Sequence, residues 1–213
     1  MRGVAILGAG FIGGVHAECI ARAEGVRLVC VYDRDEEAGH KLAERSGVRA
    51  AASAEDAIND EGVDLVLISA SSSAHGELVR LVLSAGKDYL CEKPLDVDFA
   101  RARELVLASE EAGIFAGMAF NRRFDAQHLA LRRMVPRLGR IELMHMTSRS
   151  SPPTMSSVMS ESGGLLREKG SHFFDLACWL TGERPREIFV SGGCLVDAAY
   201  GEGGDIEVCA HVQ

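Results

Sequence analysis

The chain has no CxxC pair, no HExxH motif and no surplus of basic residues. The first two absences remove the usual signatures of disulfide exchange and of a zinc centre. The third is quantitative: 23 lysines and arginines face 31 acids, giving a net charge of −8. That balance argues against nucleic acid or an anionic membrane as the main partner. No apolar run approaches the length of a membrane span, and Gly8 to Gly14 breaks the apolar N-terminus without a signal-peptide pattern. Neither an internal repeat nor a low-complexity tract is present. The cysteines Cys19, Cys30, Cys91, Cys178, Cys194 and Cys209 sit mostly in apolar segments. They read as small buried hydrophobes in a reducing, cytoplasmic compartment. The histidines are scattered, and no metal is expected.

What is present begins at residue 1. A length of 213 residues suits one large domain or two small ones, and 47% hydrophobic with 25% charged residues is ordinary for a globular chain. The segment Met1 to Asp33 carries glycines in the spacing Gly8-x-Gly10-x-x-Gly13. The apolar run Val4 to Leu7 leads into them, and a helix-like segment from Phe11 to about Ala23 follows. A second apolar run, Val26 to Tyr32, ends at Asp33, 20 residues after Gly13. This order is what a dinucleotide pocket requires. Gly8 lets strand turn into helix, Gly10 lets backbone approach a pyrophosphate, and Gly13 lets helix pack on strand. Phe11 and Ile12 open the helix, whose N–H groups and dipole face the phosphates. Asp33 is placed to accept hydrogen bonds from the adenine ribose, which favours NAD over NADP. Arg34 pulls the other way, since a guanidinium pairs with a 2′-phosphate.

Strand-like and helix-like segments alternate over the first 120 residues. Val63 to Ser69 reads as a buried strand, Glu77 to Ala85 as a helix stopped by Gly86, and Tyr89 to Cys91 as a short strand. Phe99 to Ala112 reads as a helix closed by Gly113, and Ile114 to Phe120 as a strand. Such alternation implies a parallel sheet covered on both faces. After Phe120 the character changes. Phe124 to Leu138 reads as a basic helix, Arg140 to Arg149 as a strand, and Ser150 to Gly164 as a loop. Leu165 to Leu180 reads as a helix stopped at Thr181-Gly182, and Arg186 to Val196 and Asp205 to Val212 as strands. Because the chain stops within that last strand, a truncated protein or fragment is expected.

Two clusters carry the chemistry. Glu92-Lys93-Pro94 follows a parallel strand at its C-terminal end, the edge where ligands bind in open α/β sheets. A lysine there would lie beside the nicotinamide, with Glu92 near the cofactor as well, and Pro94 is a candidate for a cis peptide bond. From position alone, Lys93 reads equally as a surface lysine in an ordinary turn. Ser71 and His75, after the strand Val63 to Ser69, are expected to approach the cofactor. The second cluster is Glu168, His172, Asp175 and Trp179, whose spacings put all four on one face of a single helix. A carboxylate one turn before an imidazole orients it, and such a histidine suits removal of a hydroxyl proton. On spacing alone, the same residues read as a solvated polar face with Trp179 as a core anchor. His16 reads as structural, and His128 and His145 as surface residues.

Four motifs in order, GAGFIGGVHA, CEKPLD, FNRRFD and SGGLLREKGSHFFDLACWLTGE, resemble the Gfo/Idh/MocA oxidoreductases, and within them the inositol 2-dehydrogenases. The resemblance covers the whole chain. It implies an α/β fold: a Rossmann domain over residues 1–120, a doubly wound parallel sheet, and an incomplete α+β domain over 121–213 with a mostly antiparallel open sheet. It implies NAD, a polyol or sugar substrate, and a homo-oligomer, dimer or tetramer. Lys93 falls on the family's catalytic lysine, His172 on its catalytic histidine and Glu168 on the acid that partners it. Asp175 falls on a substrate-binding aspartate, and Asn121 on an active-site asparagine. The implied reaction is oxidation of a ring alcohol to a ketone. The alternatives are a sugar or aldose dehydrogenase or reductase of the same family, or a non-catalytic dinucleotide-binding regulator. Two departures stand out: Glu168 replaces the aspartate of inositol dehydrogenases, and Phe173 replaces another aspartate.

Overall fold

The computed structural model describes residues 1–148, 166–192 and 208–212. The chain divides into two compact units, Met1–Ala119 and Phe120–Gln213.

The first unit is a six-stranded sheet in the order β3-β2-β1-β4-β5-β6, with every neighbouring pair parallel. Its strands are β1 (Arg2–Leu7), β2 (Val26–Tyr32), β3 (Arg49–Ala50), β4 (Leu65–Ile68), β5 (Asp88–Cys91) and β6 (Ala116–Met118). Helices α1 (Phe11–Arg22), α2 (Glu36–Ser46), α3 (Ala54–Ile58), α4 (His75–Ser84) and α5 (Phe99–Ala112) connect them. This is the doubly wound Rossmann order, in which the winding direction reverses beside β1.

The alternation of side chains in β1 explains why the sheet is covered on both faces. Ala5 and Leu7 pack into a core with Cys30, Val66, Ile68 and Val79. Val4 and Ile6 point the other way, into a core with Ala17, Val31, Leu42 and Leu67. All four β1 residues are at most 3% exposed. Burying a branched aliphatic side chain contributes roughly 1.5–3 kcal/mol, so a strand with no polar face has one stable place, the middle of a sandwich. The helix ends follow local chemistry. Asp35 caps α2 through the N–H groups of Glu37 and Ala38, and Asp98 caps α5 through Arg101 N–H. Gly47 and Gly113 close the same helices in the left-handed conformation.

The second unit holds a 3-10 turn (Asn121–Phe124), α6 (Ala126–Leu138), a π turn (Leu166–Gly170), α7 (Ser171–Thr181), β7 (Ile188–Gly192) and β8 (Val208–Val212). β7 and β8 pair antiparallel. It is a smaller α+β region.

The helix expected from Phe124 begins two residues later. Asp125 is extended, with ψ 134°, and caps α6 by accepting from Gln127 and His128 N–H. The strand expected over Arg140 to Arg149 is corrected: residues 140–148 form none, and Arg149 lies outside the described residues. A strand needs a neighbour to complete its ladder, and β7 and β8 pair with each other instead. The loop expected over Ser150 to Gly164, residues 193–196 of the next expected strand, and 205–207 of the last also lie outside the description. The helix expected from Leu165 is not a single α-helix. Its first described turn, Leu166–Gly170, is π, and α-helix begins at Ser171.

Candidate active site

The dinucleotide loop runs from Leu7 into α1. Gly8 has φ +111°, and a Cβ there would lie 2.3 Å from Ala70 N. A Cβ on Gly13 would lie 2.0 Å from Gly8 O. Both glycines are therefore required by the protein itself. Gly10 differs: a Cβ there would meet no protein atom within 4 Å. Its bareness faces outward, as a cradle for a ligand would. Gly10, the N-cap of α1, has no side chain to cap the N–H groups of the first turn, a position that suits an anion. Phe11 is 86% exposed and Ile12 42% exposed at the same rim.

Asp33 is fixed against this loop. Its Oδ2 accepts from Ala9 N–H at 2.6 Å and its Oδ1 from Asp35 N–H at 2.8 Å. Arg34 beside it is exposed. A pinned carboxylate at the end of β2, an uncapped helix N-terminus and an open Gly10 fit a dinucleotide with free ribose hydroxyls. Sequence reasoning missed Ser69, whose hydroxyl donates to Gly8 O at 2.8 Å and holds the loop to β4. A buried serine at a strand end gives no signal of its own.

The Glu92-Lys93-Pro94 turn leaves β5 beside β4. Lys93-Pro94 is cis. Glu92 Oε1 lies 2.9 Å from His16 Nε2 on α1. Burial pushes the Glu92 carboxyl up, but the His16 hydrogen bond and charge, with the Lys93 N–H and charge, bring it below the ordinary range. Ser71 lies in the loop before α4, with its hydroxyl 3.3 Å from that of Ser73. His75 is 1% exposed. Its Nδ1 lies 2.6 Å from Pro94 O and its Nε2 3.0 Å from Ala70 O. Both ring nitrogens thus face backbone carbonyl oxygens, and a neutral ring, with one N–H, donates to one of them.

In the second unit the structure gathers residues around α7. Asn121 opens the 3-10 turn, exposed, beside a shallow open hollow lined also by Arg122, Phe124, Asp125 and His128. The ring of Phe120 meets that of His172 edge-on, centroids 6.3 Å apart. Arg123 Nε donates to Asp175 Oδ2 at 2.8 Å, and its Nη2 donates to Oδ1. Asp175, expected as a substrate ligand, carries this pair with its side chain only 7% exposed. The hydrogen bonds to Asp175 raise the Arg123 pKa above its ordinary value. Arg122 stacks on Phe173 at 5.3 Å, and Arg132 on Trp179 at 5.4 Å. Arg132 also donates to Leu180 O at 2.8 Å, closing the end of α7.

Glu168 sits in the π turn and His172 in the first α turn, both half-buried. A π turn is wider than an α turn, so their spacing of four is close to one full π turn. Among the described residues, no group of three His, Cys, Asp and Glu side chains is placed to hold a metal ion. No helix among them is long and apolar enough to cross a membrane.

Comparison with known proteins gives matches in both units. Residues 2–120 match the oxidoreductase family described as having an NAD-binding Rossmann fold, and residues 128–213 match the Gfo/Idh/MocA C-terminal domain. The chain is 31% identical over 98% of its length to myo-inositol 2-dehydrogenase of Thermotoga maritima, covering 64% of that protein. It is 36% identical over 95% of its length to inositol 2-dehydrogenase of Rhizobium meliloti, covering 62% of it. The crystal structure of GenD2 from gentamicin A biosynthesis, in complex with NAD, superposes with a TM-score of 0.85 at 28% identity. That match covers 99% of this chain and 62% of GenD2. The chain thus spans less than two thirds of the length of each.

Proposed function

This chain belongs to the Gfo/Idh/MocA oxidoreductase family, and we propose that it serves NAD-dependent oxidation of a cyclitol or sugar secondary alcohol to a ketone, with myo-inositol as the first substrate to test. The observation that carries the substrate class is that relatives matching over 95% and 98% of the chain are inositol 2-dehydrogenases. The pinned Asp33 carboxylate supports NAD over NADP, because a 2′-phosphate would meet a like charge. A GenD2 structure with NAD supports the same choice.

The roles follow from the residues. His172 takes the proton of the substrate hydroxyl, and Glu168 orients the imidazole and stabilises it once charged. Lys93 hydrogen-bonds the same oxygen as negative charge develops on it. The hydrogen on the alcohol carbon leaves as hydride with its electron pair, and the C–O bond becomes a carbonyl. NAD, when bound, supplies the hydride acceptor. Asn121 and Asp175 complete the substrate site in this reading. Asp175 does so as a carboxylate held in place by Arg123. Assembly as a homo-oligomer, with further strands extending an antiparallel open sheet, is part of the same proposal.

The test is purified protein with NAD and a panel of cyclitols and aldoses, read by NADH absorbance. Turnover of inositols supports the reading, and turnover of an aldose alone overturns the substrate. One observation favours that second outcome. The Phe173 ring lies under the Arg122 guanidinium, at a position where the resemblance to inositol dehydrogenases implies an acid.

A further inference from the structure

Lys93 is bracketed by two histidines from two different helices. On its N-terminal side, Glu92 is held by His16 of α1 at 2.9 Å. On its C-terminal side, Pro94 O lies 2.6 Å from His75 Nδ1, at the start of α4. The other nitrogen of His75 lies 3.0 Å from Ala70 O, in the loop after β4. Three separate segments of the sheet edge therefore meet at the turn that carries Lys93. The His75 imidazole is 1% exposed, and the His16 and Glu92 side chains are 20% and 19% exposed, so water competes weakly for these bonds.

Resting on the reading of Lys93 as the amine that meets the substrate oxygen, we infer that His16 and His75 are positioning residues for Lys93. Each fixes one neighbour of the lysine rather than the lysine itself. A turn held at both shoulders has little freedom to swing, so the flexible stem of Lys93 starts from a fixed point on the sheet edge. Because His16 lies on the helix whose N-terminus faces the dinucleotide, the same bond ties the placement of Lys93 to the cofactor helix. Gly76, next to His75, adds to the constraint: a Cβ there would lie 2.1 Å from Asp96 Oδ2, so α4 sits hard against the segment after Pro94.

The experiment compares His75→Leu, which deletes both contacts and keeps bulk, with His75→Asn, whose amide nitrogen takes the place of Nδ1. His16→Leu and His16→Gln form the matching pair for Glu92. The first readout is the rate at which an amine-acylating reagent modifies Lys93 relative to exposed Lys41 in the same molecule. The second is kcat against KM for NAD. Each Leu variant is expected to change the Lys93 to Lys41 ratio by about threefold or more and to lower kcat roughly tenfold, with KM within about twofold. Asn and Gln are expected to restore most of both. An unchanged ratio in Leu variants that melt as wild type overturns the inference, and so does a change that Asn and Gln fail to reverse. If His75→Leu does not fold, the His16 pair decides alone. If the wild-type protein turns over no polyol or sugar, the proposed function fails while the acylation ratio still tests the positioning.

Discussion

Arg123 and Asp175 meet fork to fork, two nitrogens of one guanidinium on two oxygens of one carboxylate, linking the 3-10 turn to the middle of α7. The pair matters because the carboxylate side chain is 7% exposed and the guanidinium 40%. Removing the arginine strands a buried charge. Arg123→Ala is expected to lower stability by about 1–3 kcal/mol, the exposed guanidinium holding the loss below that of a fully buried pair. Arg123→Lys keeps the charge without the fork and is expected to recover part of it. Urea unfolding of the three proteins checks this; equal midpoints would show that the pair is worth nothing.

The glycine loop separates folding from binding at single positions. Gly8→Ala forces a Cβ to φ +111° and to within 2.3 Å of Ala70 N, and is expected to destabilise the protein by about 1–3 kcal/mol. Gly10→Ala meets nothing in the protein and is expected to leave the melting temperature unchanged while weakening NAD about tenfold or more. Thermal melting and calorimetric titration distinguish the two. A Gly10→Ala protein that binds NAD as wild type does would remove the pyrophosphate from this loop.

In the proposed function, Asp33 is the residue that favours NAD over NADP. Asp33→Ala removes the ribose acceptor and frees Arg34 from a neighbouring acid. The NAD Kd is expected to rise by roughly 10- to 100-fold, and the preference for NAD over NADP to shrink in step. Calorimetric titrations with both cofactors check this, and an unchanged preference would clear Asp33 of the role.

Much of the first unit was legible in the sequence because its signals are local. Glycine spacing, an acid at a strand end and apolar runs fix a strand, a turn and a helix without reference to distant residues. The bonds that tune the site are not local. His16 meets Glu92 across 76 positions and Arg123 meets Asp175 across 52; no spacing rule connects such pairs. Helix α2, strand β3 and helix α3 went unassigned, although Asp35 and Gly47 frame α2 in the sequence. The apolar positions of Glu36–Ser46 are few, and β3 is only two residues long. The π turn at Leu166–Gly170 was hidden because Glu168 and His172 fit helical spacing equally well. The expected strand over Arg140 to Arg149 fails for a related reason: local composition shows only that a strand is permitted, and a partner must supply the ladder.

Acid should act on the Lys93 turn through Glu92. Its carboxyl is held below the ordinary range in the folded state. A depressed folded pKa contributes stability that is present above the unfolded pKa of about 4.3 and is lost as pH falls through the folded value. Glu92→Gln is therefore expected to be less stable than wild type at neutral pH, with the gap narrowing as pH drops below about 4. Urea midpoints across the acid range check this, and a gap independent of pH would show that the ionised form has no special partner.

The account stands on Lys93 and His172 acting on one substrate oxygen, and a double-mutant cycle reads that most directly. The kcat for inositol oxidation is measured for wild type, Lys93→Ala, His172→Ala and the double variant. Each single change is expected to lower kcat by roughly 10²- to 10⁴-fold, and the double to be little worse than the worse single, because groups that serve one step fail together. Losses that simply multiply would contradict it.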